Sequence, residues 1–161
     1  MTTEETIHKR FIGLAIEMAA ENASTLNGGP FAAIVVRNGE IVGKGTNKVT
    51  STNDPTAHAE VVAIRDACKN LTTFQLSDCD LYCSCEPCPM CLGAIFWARP
   101  ARVFYAASNL DASAAGFDDT FIYKQIPIDP EKRTIPFLKI DHDNLNKPFA
   151  EWNLNKDKID Y

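Results

Sequence analysis

Long apolar runs and an excess of basic residues are both missing from this 161-residue sequence. The first 22 residues mix Glu4, Lys9, Arg10 and Glu21 with apolar residues, so they resemble neither the core of a signal peptide nor a membrane span. We therefore expect a cytoplasmic protein without a membrane partner. The net charge of -5 argues against a nucleic-acid partner, because phosphate contacts need Lys and Arg in excess.

Internal repeats, linkers and low-complexity stretches are likewise missing. With 161 residues and 45% hydrophobic composition the chain can build one substantial core, so we expect a single domain over residues 1–161. Residues 144–161 set Phe149, Trp152 and Tyr161 in a polar background, and we expect a tail there, either a docked helix or a frayed end. In a cytoplasmic protein the six cysteines are expected to be thiols or metal ligands rather than disulfides.

Apolar periodicity predicts the order helix, strand, strand, helix, strand, helix, strand. Asp54-Pro55 is typical of a helix start, because Asp caps amide groups and Pro fits the first turn. The turn Arg37-Asn38-Gly39-Glu40 predicts an antiparallel hairpin, and the crossover helix between the last two strands predicts a parallel pair. The fold class is therefore α/β with one mixed sheet. The predicted helices are residues 6–18, 55–69 and 87–98, and the predicted strands are residues 31–36, 41–45, 80–85 and 101–107.

One histidine and two cysteines fall at the starts of the last two predicted helices. Zinc binds imidazole nitrogen and thiolate sulfur, and a catalytic zinc site keeps three protein ligands so that water can take the fourth position. His58, Cys88 and Cys91 make such a set. Cysteines three residues apart share one face of a helix, and the positive end of the helix dipole favours their thiolate form. Cys85 stands three residues before Cys88, so the spacing also allows a closed structural site with four ligands.

Glu60 lies two residues after His58 and is the candidate for acid and base chemistry beside the metal. Zinc with an open position lowers the pKa of its water from about 15.7 to 7 and so yields a nucleophile near neutral pH. Hydrolytic removal of an amino group also needs protons at a ring nitrogen and at the departing amine, which a nearby carboxylate can deliver. The alternative from another class is a structural zinc or redox module without turnover, in which Glu60 would have no catalytic role.

The pattern His-x-Glu followed by Pro-Cys-x-x-Cys is the known signature of zinc deaminases. On this combined motif, and from the first helix through the last predicted strand, the chain resembles the cytidine-deaminase-like superfamily. The resemblance implies a three-layer α/β/α fold with one mixed, roughly five-stranded central sheet. It also implies Zn²⁺ held by His58, Cys88 and Cys91, Glu60 as the proton shuttle, and Cys85 as a buried thiol outside the ligand set.

Within this superfamily the chain resembles the bacterial- and fungal-type guanine deaminases. The resemblance implies a small purine base as partner, with guanine converted to xanthine and ammonia. One departure is Ala32, because the family commonly has Gly at that position. The matching stretches are residues 28–31, 53–60, 84–95, 115–119 and 134–137, of which the last two separate this group from its relatives.

The same resemblance implies a purine pocket. Phe31 would stack on the base, and Asn47 and Asp119 would hydrogen-bond its edge, since a carboxylate accepts from the N–H donors of guanine. Trp97 would help to wall the pocket, and Tyr161 would reach it from the chain terminus. The complete set of implied substrate contacts is Phe31, Asn47, Ala59, Trp97, Asp119 and Tyr161.

Relatives of this group are dimers, and in some of them the C-terminal segment covers the site of the partner. The resemblance therefore implies a homodimer with exchanged C-terminal segments. Guanosine deaminase, tRNA adenosine deaminase and pyrimidine base deaminase remain alternatives, because all share the metal core. The acidic balance and the residues Phe117-Asp118-Asp119 disfavour the tRNA enzyme, and a tail that closes the site would leave little space for the ribose of guanosine.

Overall fold

The computed structural model describes residues 3–161, within which four strands form one sheet in the order β2-β1-β3-β4. The strands are β1 (Ala32–Arg37), β2 (Glu40–Thr46), β3 (Cys79–Cys85) and β4 (Arg102–Ala107). The helices are α1 (Thr3–Ser24), α2 (Val49–Thr52), α3 (Ala59–Leu71), α4 (Pro89–Ala98), α5 (Asn109–Ala114), α6 (Thr120–Gln125) and α7 (Lys147–Leu154), with a 3-10 helix at Pro130–Lys132.

The sheet is mixed, as the sequence predicts. β1 pairs antiparallel with both β2 and β3, and β3 pairs parallel with β4. The β1–β2 turn places Asn38 and Gly39 at φ angles of 52° and 80°, and positive φ at both central residues is the mark of a tight hairpin turn. Helix α4 makes the crossover from β3 to β4. The predicted hairpin and the predicted parallel pair are therefore both confirmed.

The expectation of roughly five strands is wrong, since residues 3–161 form four. Directly after β4, the side chain of Ser108 accepts from the Asp111 amide while the side chain of Asp111 accepts from the Ser108 amide. This capping box starts α5 at once, so the chain turns away from extended structure. Farther on, the apolar residues near 135–140 include Pro136, which lacks the amide that a strand ladder requires.

Helices cover both faces of the sheet, which confirms the three-layer arrangement. Ala33 and Val35 of β1 belong to a core cluster with residues of α3 and α4. The alternate residues Ile34 and Val36 pack on the other face with Phe11 of α1. This alternation follows from the period of two along a strand, and it makes β1 buried on both sides.

Helix α3 begins at Ala59, four residues later than the sequence predicts. The carboxylate of Asp54 accepts hydrogen bonds from the amide and the hydroxyl of Thr56, at 2.8 and 2.7 Å. Asp54-Pro55 therefore forms a separate turn instead of capping the helix. As a consequence His58, rather than Asp54, occupies the N-cap position of α3.

Close packing against β2 fixes the start of α3. A methyl group at Gly45 would collide with the carbonyl oxygen of Ala59, and one at Gly43 would lie 2.7 Å from the carbonyl oxygen of Ala63. Only glycine allows the helix backbone to approach the strand so closely. The first turn of α3, which carries the predicted ligand and the predicted proton shuttle, is therefore held directly on the sheet.

The chain divides into two compact units, one ending at Asp119 and one spanning Thr120–Tyr161. The second unit contains α6, the 3-10 helix and α7, and the side chain of Gln125 accepts from the Thr134 amide at 2.8 Å. Many of its apolar side chains are exposed, among them Phe149 and Leu154 of α7. In residues 3–161 no helix has the length and apolar character needed to cross a bilayer.

Candidate active site

The predicted metal ligands lie at two helix starts. His58 and Cys88 are the N-cap residues of α3 and α4, and both have extended backbone conformations. Neither side chain caps its own helix by a hydrogen bond, so the ring and the sulfur atom remain available for other contacts. Cys91 lies one turn into α4 and is completely buried.

The three side chains converge on one point. The Nδ1 atom of His58 lies 3.4 Å from the Sγ atom of Cys88 and 3.5 Å from the Sγ atom of Cys91. All three ligand atoms lie within 4.8 Å of one another. One imidazole nitrogen and two sulfurs at these distances form a donor set that suits zinc.

Cys85 does not join this cluster. Its thiol donates to the carbonyl oxygen of Ser108 at 3.5 Å. Within residues 3–161 the group of potential ligands consists of His58, Cys88 and Cys91 alone. Three protein ligands are the number found in catalytic zinc sites, whereas closed structural sites use four. The cluster therefore fits a zinc ion with one open coordination position.

Electrostatics within the cluster favour a thiolate. Hydrogen bonds from the Cys91 thiol and from the His58 ring lower the pKa of Cys88 to about 4, although burial acts in the opposite direction. The same contact with Cys88, together with burial, raises the pKa of Cys91. The Cys88 sulfur is therefore a thiolate that can bind a metal directly, whereas the Cys91 thiol must release its proton when the metal binds. Because binding releases this proton, the metal affinity depends on pH.

Glu60 lies beside the cluster in the first turn of α3. Its Oε2 atom accepts from the Cys91 thiol at 3.3 Å, and the residue is only 7% exposed. Burial raises the pKa of the Glu60 carboxyl above its usual value of 4.5. A carboxyl group whose pKa is shifted toward neutrality can both take up and release a proton at physiological pH.

Two aromatic rings meet near the start of β1. Phe31 is partly buried, and its ring contacts the ring of Phe117 edge to face, with centroids 4.9 Å apart and an interplanar angle of 87°. Phe117 lies in the stretch 115–119, which follows β4. Ala59, by contrast, is almost completely buried as the first residue of α3.

Asn47 is buried, and backbone amides of nearby residues hold its side chain in place. Its Oδ1 atom accepts from the amides of Gly29 and Val49, at 3.2 and 3.3 Å. Its Nδ2 atom makes no hydrogen bond to another described residue in this structure. Since both acceptor sites of the side chain are in use, the amide nitrogen remains as a donor toward a ligand.

Asn22 is a positioning residue that the sequence analysis did not predict. Its buried Nδ2 atom donates to the carbonyl oxygens of Gly29 and Asn47, both at 2.9 Å. It thereby holds together the two segments that carry Phe31 and Asn47. The signal was present, because Asn22 falls in phase with Phe11, Ala15 and Ala19 on the buried face of α1, where a polar residue needs partners.

Asp119 lies within electrostatic reach of the metal cluster. Burial is the main cause that raises the pKa of its carboxyl, and the negative charge of Cys88 acts in the same direction. Trp97, in contrast, lies six residues beyond Cys91 on α4 and is 63% exposed. Tyr161 belongs to the second unit and is also exposed. Asp119 therefore lies close enough to Cys88 for the charge of the thiolate to act on its carboxyl.

Comparison with known families defines the class of protein. Residues 5–107 match the family described as the cytidine and deoxycytidylate deaminase zinc-binding region. The match spans both helix starts and therefore the whole three-ligand cluster. The chain belongs to this family of zinc-dependent deaminases, which are hydrolytic enzymes, and zinc is the cofactor that its cluster suits.

Individual relatives narrow the comparison. A guanine deaminase from Bacillus subtilis is 54% identical over 154 residues, which cover 96% of this chain and 99% of the relative. An X-ray structure of guanine deaminase from Bacillus subtilis superimposes with a TM-score of 0.93 at 52% identity, covering 100% of this chain and 99% of that one. A tRNA-specific adenosine deaminase from Aquifex aeolicus is 44% identical over 92 residues, or 57% of this chain and 60% of the relative.

Proposed function

We propose that this chain catalyses the hydrolysis of guanine to xanthine and ammonia. The observation that carries the proposal is the convergence of His58, Cys88 and Cys91 beside the buried carboxyl of Glu60. The choice of guanine is supported by the Bacillus subtilis guanine deaminase, whose similarity extends beyond β4 into the rest of the chain. The similarity to the tRNA-specific deaminase covers a little over half of the chain.

The reaction adds water at C2 of guanine and breaks the bond from C2 to the exocyclic amine. His58, Cys88 and Cys91 would hold a zinc ion, which would polarise a water molecule and lower its pKa to about 7. Glu60 takes one proton from this water and passes it to ring nitrogen N3, and it then carries the second proton from the new hydroxyl at C2 to the departing amine. The burial and the raised pKa of Glu60 suit both directions of transfer, and of the two water protons one stays on N3 of xanthine while the other leaves with ammonia.

Recognition of the base falls to residues around the cluster. Phe31 offers an aromatic face for stacking, with Phe117 supporting its ring edge to face. Asp119 accepts from the N–H donors of guanine, and the Nδ2 atom of Asn47 donates to an acceptor on the ring. The amide of Ala59 is a second donor, because the first amides of a helix have no partner within it.

A homodimer completes the pocket in this proposal. Phe96 and Trp97 of α4 are 73% and 63% exposed, and Val103 and Tyr105 of β4 are exposed as well. Exposed apolar side chains in such number are typical of a protein interface. Exchanged C-terminal segments would bring Tyr161 to the site of the partner, and Trp97 would then line the closed pocket.

The domain organisation, the cysteines and the expected partners are consistent with guanine deamination. All 161 residues would act as one deaminase domain, with residues 144–161 as the tail that covers a site. The six cysteines are free thiols, which fits a reducing compartment such as the cytoplasm. A free base of this size needs no nucleic-acid or membrane partner.

The direct test is a panel of substrates. Purified zinc-loaded protein is given guanine, guanosine, adenine, cytosine, cytidine and a tRNA anticodon stem separately, and ammonia release is followed. Guanine is expected to be the strong substrate, and the same protein after zinc removal by a chelator is the control. Faster turnover of guanosine, cytosine or the tRNA would contradict the proposal and identify the alternative.

The tail is tested by deletion of residues 150–161. If the segment covers the site of a partner, the truncated protein keeps its zinc but loses guanine turnover. The oligomeric state is measured by light scattering on both proteins, and a dimer is expected for the full chain. A monomeric full-length protein, or a truncated protein with unchanged turnover, would contradict the exchange of segments.

A further inference from the structure

Two functional segments begin side by side at one edge of the sheet. Because β3 and β4 are parallel, their carboxyl ends meet there, with Cys85 opposite Ala107 in the last pair. After β3 the chain runs through Glu86 to the metal ligand Cys88. After β4 it runs through residues 108–119, which we call the recognition segment because it contains Phe117 and Asp119.

Glu86 bridges these two segments. Its amide donates to the carbonyl oxygen of Ala107 at 2.8 Å, and its Oε2 atom accepts from the amide of Asn109 at 3.1 Å. Asn109 is the first residue of α5, where an amide has no partner within the helix. The carboxylate of Glu86, in the segment after β3, therefore accepts the hydrogen bond of this free amide, and its negative charge strengthens the bond.

The other bonds at the start of α5 do not make the same connection. The capping box joins Ser108 to Asp111, so both of its hydrogen bonds lie inside the recognition segment. The thiol of Cys85 reaches the carbonyl oxygen of Ser108 at 3.5 Å, but a thiol is a weak donor. Glu86 thus provides a charged side-chain link between residues 86–88, which we call the metal-binding turn, and the recognition segment.

We infer that Glu86 is a positioning residue that sets the recognition segment at the correct place relative to the metal ligands. The inference rests on the proposed function, because it concerns how Phe117 and Asp119 meet the base. Glu86 acts through its bond to Asn109 and does not touch the reacting atoms. The effect of its loss should therefore appear in binding of the base, while the metal stays in place.

The test compares Glu86→Ala with Glu86→Gln, whose amide oxygen can still accept from Asn109. Zinc content, kcat and KM for guanine are measured, with Glu40→Ala on the exposed hairpin as the matched control. Glu86→Ala is expected to keep full zinc and to raise KM by about 10-fold or more, as for loss of one hydrogen bond to a charged group. Glu86→Gln is expected to stay within about 3-fold of the unmodified enzyme.

A second measurement does not depend on the substrate. Hydrogen exchange of the amides in residues 109–119 should be faster in Glu86→Ala than in the control and close to normal in Glu86→Gln. Unchanged KM and exchange in Glu86→Ala would overturn the inference, and so would loss of zinc or equal impairment of both variants. If the unmodified enzyme does not deaminate guanine, the proposed substrate fails, whereas the exchange result still decides the role of Glu86.

Discussion

Replacement of Glu60 by Gln separates a catalytic role for this site from a structural one. The two side chains have the same shape, so the contact with the Cys91 thiol at 3.3 Å can persist. Gln cannot take up the proton that a carboxylate takes up. The variant Glu60→Gln should therefore bind zinc normally and fail at proton transfer.

The expected size of the loss depends on burial. Removal of a general acid or base typically costs about 10²- to 10⁴-fold in rate, which corresponds to about 3–5 kcal/mol of transition-state stabilisation. Glu60 is only 7% exposed, so bulk water cannot easily replace its carboxyl as the proton carrier. We therefore expect the upper part of that range, about 10³- to 10⁴-fold in kcat.

Stability gives an independent check on the same variant. Burial raises the pKa of Glu60 in the folded protein, so the ionised carboxylate costs stability as the pH rises through that pKa. A neutral Gln removes this cost near pH 7. Glu60→Gln should therefore unfold at a temperature no lower than that of the unmodified protein. If it does so, a loss of activity cannot be explained by unfolding of the variant.

The assay follows ammonia release from guanine, alongside zinc content and thermal unfolding. Glu21→Gln, on the exposed face of α1, is the matched control for the chemical change. Full turnover by Glu60→Gln would refute the proton-shuttle role. Loss of zinc from the variant would show instead that the carboxyl supports the metal, which is incompatible with a role limited to carrying protons.

Three further changes test the cluster, the packing and the recognition of the base. Cys88→Ser should lower the zinc content while Cys85→Ser keeps it, as measured by metal analysis; zinc loss from the second variant would contradict a three-ligand site. Gly45→Ala sets a methyl group against Ala59 and should lower the free energy of unfolding by about 1–3 kcal/mol in urea titrations, whereas unchanged stability would argue against the close packing. Burial raises the pKa of Asp119 above its ordinary 3.8, so its carboxylate is protonated at a higher pH than usual as the solution is acidified. The acid side of the pH profile of kcat/KM should therefore fall early, and Asp119→Asn should be at least about 10-fold less active and keep only the part of that acid limb that Glu60 causes; an identical limb in both proteins would exclude Asp119 as a contributor.

The sequence predicts the sheet well because its signals are local. Asn38-Gly39 defines the hairpin, and the apolar runs of β3 and β4 with a helix between them define the parallel pair. The start of α3 is predicted less well. Asp54-Pro55 satisfies a rule for helix starts, but the Asp side chain is used by Thr56 in a turn, and local rules cannot choose between these two uses.

The chemistry of the metal cluster is also predictable, since it depends on residue type and spacing. Which of the four candidate ligands take part is a different question, because Cys85 and Cys91 stand at equal distances from Cys88 in the sequence. The strand ends at Cys85, so its side chain points to Ser108 instead of the cluster. The link from Glu86 to Asn109 depends on strand pairing and leaves no pattern in the sequence.

The metal ligands and two of the proposed base contacts lie in different parts of the chain, so the metal site alone cannot identify the base. The three ligands and Glu60 all lie within residues 5–107, which match a family of deaminases as a whole. Phe117 and Asp119 lie after that region, on a segment that begins where β4 ends and is linked to the metal-binding turn by Glu86. The residues proposed for chemistry at the amino-bearing carbon thus lie at two helix starts, whereas Phe117 and Asp119, two of the residues proposed to recognise the base, lie in the recognition segment beyond the last strand. A change confined to residues 108–119 should therefore alter which base is accepted while the bound zinc and the protonation of Glu60 stay as they are.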